Sequence, residues 1–528
     1  MRSLMWAVPP VLVAAVAIGA CEVETGDADS SSPLPVANSS NVGGGGGSQG
    51  TGGYPPASCE GPGPEIESAG TPDKILLKGT VLAPSGPLEG EVLIEGNAIT
   101  CVAMTCSGEP GAAGATVIRT NGIISPGLID GHNHIIFDIF NEDDWSPPQV
   151  YTNHDQWPND DAYGAMVDAK QYLNGEMGSP ADFGCEMLKY GEMKALIAGT
   201  TSVQGSPGTG KNCFGSMARS LDLEQNDLPD DHIRTSTPFP SMSTADSVCA
   251  DFATGDTLAF VAHIGEGVDQ VALDEFIDLG TVSTTPNCLY SSHTTIIHGA
   301  ALGQPELMTM ATAGMSLVWS PRSNVFLYGG GTDYTKTTDI PAALGLGINV
   351  ALGPDWSIGG SQNMLDEMRF ANVVDDEAFG NILDAQTIWK MATSNAAAAM
   401  GVTPFLGSLE VGKRADISVF CPSMDDPYES ILASSPREVT AVFVDGRMLY
   451  GDESLQDAAP TGSTCEPLDV CTRPKVACIA ETGGAADKLD QTLAQITMIL
   501  GDAMTAYDTA NGSSYSPIAP LVVCPGGG

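Results

Sequence analysis

The chain has seven histidines, and two of them stand as His132-Asn133-His134 behind the apolar run Ile123-Ile124-Ser125-Pro126-Gly127-Leu128-Ile129-Asp130-Gly131. In a strand, residues i and i+2 point to the same face, so both imidazoles can reach one metal ion. Two more histidines close strand-like runs: His263 follows 258–262 and His298 follows Thr295-Ile296-Ile297. Asp355 follows Val350-Ala351-Leu352-Gly353-Pro354 in the same way. Imidazole nitrogens with a carboxylate oxygen suit zinc and comparable divalent metals. Such a metal lowers the pKa of a bound water towards ~7 and makes it a nucleophile at neutral pH. His154, His232 and His293 read instead as histidines of loops and surface.

These side chains need a scaffold that gathers strand ends. Across 123–404, short apolar strands alternate with helix-like stretches such as 184–197 and 384–400. Repeated βα units imply a parallel sheet covered on both faces, and at this length a (β/α)8 barrel of the TIM type. In that fold, chemistry sits at the C-terminal ends of the strands. Residues 71–122 and 405–455 have a different texture, with short apolar runs closed by Gly, as in Glu91-Val92-Leu93-Ile94-Glu95-Gly96 and Val442-Phe443-Val444-Asp445-Gly446. The fold class is therefore α/β, a barrel flanked by a β-sandwich built from both ends of the core. Residues 456–528 form a Cys-containing extension with one helix expected near 485–506.

The order of the motifs resembles the amidohydrolase superfamily over about 75–450. The resemblance rests on Pro126-Gly127-Leu128-Ile129-Asp130-Gly131-His132-Asn133-His134, Ala198-Gly199-Thr200-Thr201, His263-Ile264-Gly265-Glu266, Ile297-His298-Gly299 and Gly353-Pro354-Asp355. It continues in Gly407-Ser408-Leu409-Glu410-Val411-Gly412-Lys413-Arg414-Ala415-Asp416 and Val444-Asp445-Gly446. The resemblance implies that His132, His134, His263 and Asp355 bind one divalent metal, zinc or alternatively iron. It implies that Asp355 takes a proton from the water, and that His298 is either a second-metal ligand, as in two-metal members, or a hydrogen-bond partner of water or substrate, as in one-metal members. Glu266, three residues after His263, is similar to the proton-shuttling Glu of the branch that deaminates cytosine, adenosine-like compounds and triazines. Pro321-Arg322-Ser323-Asn324-Val325-Phe326-Leu327 resembles that branch's Pro-x-Ser-Asn-x-x-Leu element, with Asn324 orienting the loop.

Two-metal relatives carry a bridging carboxylated Lys or a Glu on the fourth barrel strand. That strand is read here as Thr200-Thr201-Ser202-Val203-Gln204-Gly205, which has neither and favours one metal. The expected reaction is hydrolysis of a non-peptide C–N bond, as in deamination of a cyclic amidine or heterocycle. The alternatives are an exported amide, cyclic amide or dipeptide hydrolase of the same superfamily, and a lipid-anchored solute-binding protein without turnover. The loop Gly205-Ser206-Pro207-Gly208-Thr209-Gly210-Lys211 is followed by Asn212, not Ser or Thr, so it lacks the phosphate-loop pattern.

Lys plus Arg number 21 against 65 Asp plus Glu, a net charge of −44. A polyanion of this kind is not a nucleic-acid binder, since phosphate contacts need clustered cations; a small-molecule substrate is the expected partner. Residues 1–20 read as a signal peptide, with Arg2 before a short apolar core. Ile18-Gly19-Ala20-Cys21 resembles the lipobox of bacterial lipoproteins, which implies a lipid on Cys21 as the membrane anchor. Residues 21–70 are a Gly/Ser-rich linker, as a tether would be. Of 13 Cys, this leaves 12 for an oxidising compartment. Cys101 and Cys106 are close enough for a hairpin staple, whereas pairing among Cys465, Cys471, Cys478 and Cys524 cannot be read from spacing.

Overall fold

The computed structural model describes Cys59, Cys213, Leu228 and residues 61–176, 178–205, 217–222, 233–483 and 488–524. The signal-peptide and lipobox residues, most of the linker, His232 and Lys211 lie outside them.

The first five strands are β1 (Glu65–Ser68), β2 (Thr71–Ala83), β3 (Gly86–Glu95), β4 (Ala98–Ala103) and β5 (Ala115–Pro126). Eight short strands follow: β6 (Leu128–Asp130), β7 (Thr200–Val203), β8 (Arg219–Ser220), β9 (Ile233–Ser236), β10 (Ala259–Ile264), β11 (Thr294–His298), β12 (Ser316–Trp319) and β13 (Asn349–Leu352). The chain then forms β14 (Ile417–Phe420), β15 (Val439–Val444), β16 (Arg447–Asp452), β17 (Ser463–Val470) and β18 (Arg473–Glu481).

Strands from both ends of the chain make one flanking sheet in the order β17-β18-β16-β15-β14-β5-β2-β3-β4, with β1 on β5. Its register sets Ile75 opposite Ile94 and Val419 opposite Ile124, and all four enter one apolar core with Ile417 and Phe443. The β15–β16 turn is Asp445-Gly446, both with positive φ (51° and 71°). A two-residue hairpin turn of that shape matches the strand twist and favours Asp-Gly. A side chain at 446 would also meet the Gly96 carbonyl at 2.1 Å.

The eight strands β6 to β13 are the parallel strands of the barrel. Their pairing runs β6-β7-β8 and β9-β10-β11-β12-β13. The last strand closes on the first: Gly131 N donates to Leu352 O at 3.0 Å, and Asn133 bridges Asp355. Every residue of β10 and β11 is buried, which explains why neither strand alternates apolar with solvent-facing charged residues. Ile129, Ile233, Val261, Ile297, Val318 and Ala351, one from each of six strands, share one cluster that only a barrel interior can gather. Val261 and His263 point the same way along β10, so the interior face that is apolar below becomes imidazole at the mouth.

Two sequence expectations change. Thr200–Val203 is the second barrel strand, and the fourth is Ile233–Ser236. The third and fourth strands are short and lack an apolar run, while two helices, Asp161–Leu173 and Gly184–Ile197, precede β7. The segment after β9 reads Thr237-Pro238 and brings neither Lys nor Glu, so the one-metal expectation now rests on β9. The C-terminal extension supplies two strands, β17 and β18, as well as helix Leu493–Asn511, which packs on helix Gly184–Ile197. No helix among the described residues is long and apolar enough to cross a membrane.

Six disulfides join Cys59–Cys421, Cys101–Cys106, Cys185–Cys213, Cys249–Cys288, Cys465–Cys478 and Cys471–Cys524. They take all twelve cysteines other than Cys21.

Candidate active site

His132 and His134 leave the end of β6 on a short, fully tied segment. Buried Asp130 accepts the His132 N–H at 3.0 Å and the Asn133 side-chain amide at 2.8 Å. His132 O accepts from Asp355 N at 2.9 Å, and His134 N donates to Asp355 O at 2.5 Å. Strand 1 and strand 8 therefore hold three of the candidate ligands through backbone bonds. His298 and Asp355 both adopt left-handed φ, 65° and 72°. That conformation is strained for residues other than Gly and persists where the surroundings over-determine it, commonly at functional sites.

The imidazoles converge. His263 Nε2 lies 3.2 Å from His132 Nε2, and Asp355 Oδ1 lies 3.1 Å from His132 Nε2 and 3.5 Å from His134 Nε2. The donor atoms of His132, His134 and His263 all fall within 4.8 Å of one another, as do those of His132, His298 and Asp355. His132 is completely buried. Its Nδ1 faces Gln204 Oε1 at 3.3 Å, and the Gln204 amide donates to Asp222 at 3.1 Å. That chain orients the Gln204 oxygen towards His132 Nδ1, which fits a ring proton there when Nε2 binds a metal.

Electrostatics match a cation site. Burial, then the neighbouring His132, lowers the pKa of His134 to about 4. Burial likewise holds His263 well below its ordinary value. Burial acts to raise Asp355, but the His132 hydrogen bond and the charges of His132, His298 and His134 outweigh it and keep it ionised. Three imidazoles and one carboxylate aimed at one point form the N3O set that zinc takes.

Glu266 follows β10, and a buried carboxylate there needs partners. Tyr328 OH donates to its Oε1 at 2.9 Å, His154 Nδ1 lies 3.2 Å from its Oε2, and His298 Nε2 lies 3.8 Å from the same oxygen. Burial pushes the Glu266 pKa up, but His298 and His154 more than offset it, and the net shift is downward. His298 Nδ1 pairs with Asn324 Oδ1 at 3.0 Å, and Asn324 Nδ2 donates to Thr337 at 3.2 Å. Asn324, read from sequence as orienting a loop, thus also orients a site histidine.

The sequence reading missed His154. It is not a surface histidine: it lines the same cavity, bridging Glu266 and Glu275, whose Oε1 lies 2.5 Å from its Nε2. Burial works against a charge on His154, but the hydrogen bonds to Glu266 and Glu275 raise its pKa to about 10. His293 is a loop histidine, its Nδ1 on Leu258 O at 3.0 Å. The cavity encloses about 110 Å³, with Phe137, Trp157, Tyr163 and Trp356 along the walls. Trp157 stacks on Tyr163, and Tyr163 meets Trp356 edge-on. Trp157 and Tyr163 come from the long excursion after β6, which carries no periodic signal of a binding wall.

Comparison with known proteins agrees with this geometry. Residues 289–449 match the amidohydrolase family. A 5'-deoxyadenosine deaminase of Methanothermobacter thermautotrophicus is 25% identical over 444 residues, covering 73% of this chain and 95% of the relative. Among solved structures, a mutant atrazine chlorohydrolase of Arthrobacter aurescens complexed with zinc and atraton superposes with a TM-score of 0.58 at 18% identity, covering 74% of this chain and 97% of that one. A zinc-bound adenosine deaminase of Xanthomonas campestris gives 0.55 at 18% identity, covering 72% and 93%. The fold is that of these proteins, a TIM barrel with a flanking domain, and residues 289–449 are similar to the amidohydrolase family.

Proposed function

We propose that the chain hydrolyses a C–N bond of a planar heterocycle, releasing ammonia from a cyclic amidine, with one divalent metal held by His132, His134, His263 and Asp355. The observation that carries this reading is the convergence of that N3O set with a separate buried carboxylate, Glu266, in one aromatic-walled cavity. When bound, zinc would supply the Lewis acidity that brings a water's pKa towards ~7. Glu266 is ionised in the free site, so it takes one proton from the attacking water and gives it to the ring nitrogen. Asp355 takes the second proton and passes it to the amino group, which leaves as ammonia. Ring carbon gains oxygen and loses nitrogen, and both water protons are accounted for. His298, fixed by Asn324, presents Nε2 to the substrate. The aromatic walls suit a flat ring. The buried indole N–H groups of Trp157 and Trp356 have no protein acceptor among the described residues, which suits a substrate with ring nitrogens or carbonyls.

The test is ammonia release from a panel that includes 5'-deoxyadenosine, 5-methylthioadenosine, guanine and triazines, the compounds named for its relatives and their kin. With the best substrate, Glu266→Gln should retain metal and lose turnover by ~10²–10⁴-fold, the size of a general acid–base contribution. Near-normal turnover by that variant, or turnover confined to acyclic amides and dipeptides, would turn the reading to an amide hydrolase.

We also propose that the protein is exported and held at a bacterial membrane by a lipid on Cys21. Six disulfides among the described residues support an oxidising compartment, and the lipobox-like sequence at Ile18-Gly19-Ala20-Cys21 supports the anchor.

A further inference from the structure

We propose that His154 is a positioning residue that keeps the Glu266 carboxylate off the metal and free to carry protons. The inference rests on the deaminase reading above for the role of Glu266. Glu266 is close enough to be a ligand: its carboxylate oxygen, a His263 nitrogen and a His298 nitrogen all lie within 4.8 Å of one another. Bound to the metal, Glu266 would be held away from the ring nitrogen that it has to protonate. Something must hold it aside, and His154 does so with Tyr328. One ring nitrogen takes Glu266 Oε2 at 3.2 Å; the other takes Glu275 Oε1 at 2.5 Å. Glu275 is itself fixed, since its Oε2 accepts the Gly265 N–H at 2.8 Å.

The backbone builds the same arrangement. His154 N donates to Glu266 O at 3.1 Å, and Val268 N donates to Thr152 O at 2.7 Å, so residues 152–154 run as a short antiparallel partner of 266–268. Gly267 sits at the crossing, where a side chain would meet Thr152 O at 2.5 Å. Asp269 caps helix Gln270–Leu279 and also accepts from Thr152 Oγ1 and Asn153 Nδ2, both at 2.7 Å. The loop that brings His154 is therefore tied at three points to the turn that carries Glu266. Because His154 acts through Glu266, its loss should lower kcat while leaving KM nearly unchanged.

The test uses the full chain with cobalt(II) in place of the native metal, and reads its visible absorption together with kcat and KM. His154→Leu should change the cobalt spectrum, as Glu266 swings onto the ion, and lower kcat by roughly 10–100-fold, a usual cost of losing a group that supports a metal site. Adding Glu266→Gln to His154→Leu should return the spectrum to that of the parent. His154→Asn, which keeps a donor near Nδ1, should recover part of kcat; it also serves if the Leu variant folds poorly. Unchanged spectra in both variants would overturn the proposal, as would equal losses for His154→Leu with and without Glu266. The two readings fail separately. If Glu266→Gln alone keeps full turnover, the deaminase mechanism falls, while the cobalt spectra still decide whether His154 restrains Glu266.

Discussion

Gly353→Ala tests whether the junction of strands 1 and 8 sets the metal site. Gly353 has an ordinary φ, so alanine brings no backbone strain of its own. Its Cβ would lie 2.7 Å from His132 N, 2.8 Å from His132 Cβ and 2.9 Å from His132 O. None of these atoms can rotate away. Ordinary contact begins at 3.4 Å, so the two strands would have to part by about 0.7 Å at the residue that supports His132. Metal bonds to imidazole and carboxylate are ~2.0–2.2 Å and tolerate errors of about 0.2 Å. The shift exceeds that tolerance about threefold, and it moves His132 relative to Asp355 two residues on. Overpacking of this kind costs ~1–3 kcal/mol of stability. Zinc affinity, measured by competition with a chelator, should fall at least ~10-fold, and urea unfolding should move to lower denaturant. Gly345→Ala, with nothing within 4 Å of the added methyl, is the control and should do neither. Wild-type zinc affinity in Gly353→Ala would refute the claim that this strand junction fixes the ligands.

Asp355→Asn should lose most of its metal by elemental analysis and most of its rate, whereas His298→Asn should keep about one metal per chain and lose rate alone; equal metal loss in both would make His298 a ligand. Buried Glu367, its pKa raised to about 8 mainly by burial, should hold its proton at pH 7. An acid whose folded pKa lies above its unfolded value stabilises the fold at low pH, and that stability is lost as pH rises from about 4.5 to about 8. Glu367→Gln should therefore flatten the stability-against-pH curve in that window, as urea titrations at pH 5, 6.5 and 8 would read; an unaltered slope contradicts the assignment. Membrane fractionation and lipid labelling should find Cys21→Ala unlipidated and soluble, and equal recovery of parent and variant in the soluble fraction would remove the anchor.

What could be read from sequence was local. His132-Asn133-His134 marks two candidate ligands because residues i and i+2 share a face in extended backbone, here just past the end of β6. His263, His298 and Asp355 were legible because barrel strands are short apolar runs that end where chemistry begins. Helix Gly184–Ile197 followed from the same kind of patterning. What depended on returning loops was not legible. His154 meets Glu266 only because 152–154 pairs with 266–268 across more than a hundred residues, and no periodicity marks that pairing. Gln204 reads as a residue that is not a bridging ligand, yet its amide orients His132. The third and fourth strands escaped because two or four residues carry too little apolar pattern, and the strand numbering slipped with them. Cys59 and Cys421 pair across 362 residues of sequence, a distance over which spacing says nothing.

The most direct test of the central claim is ammonia release by metal-free protein reloaded with zinc in measured steps, on the best heterocyclic substrate of the panel. Rate should rise in proportion to bound zinc and level off at about one equivalent per chain, with ammonia formed mole for mole with the oxygenated ring. Turnover that persists in protein stripped of metal, or that needs two equivalents, would contradict a one-metal hydrolytic site.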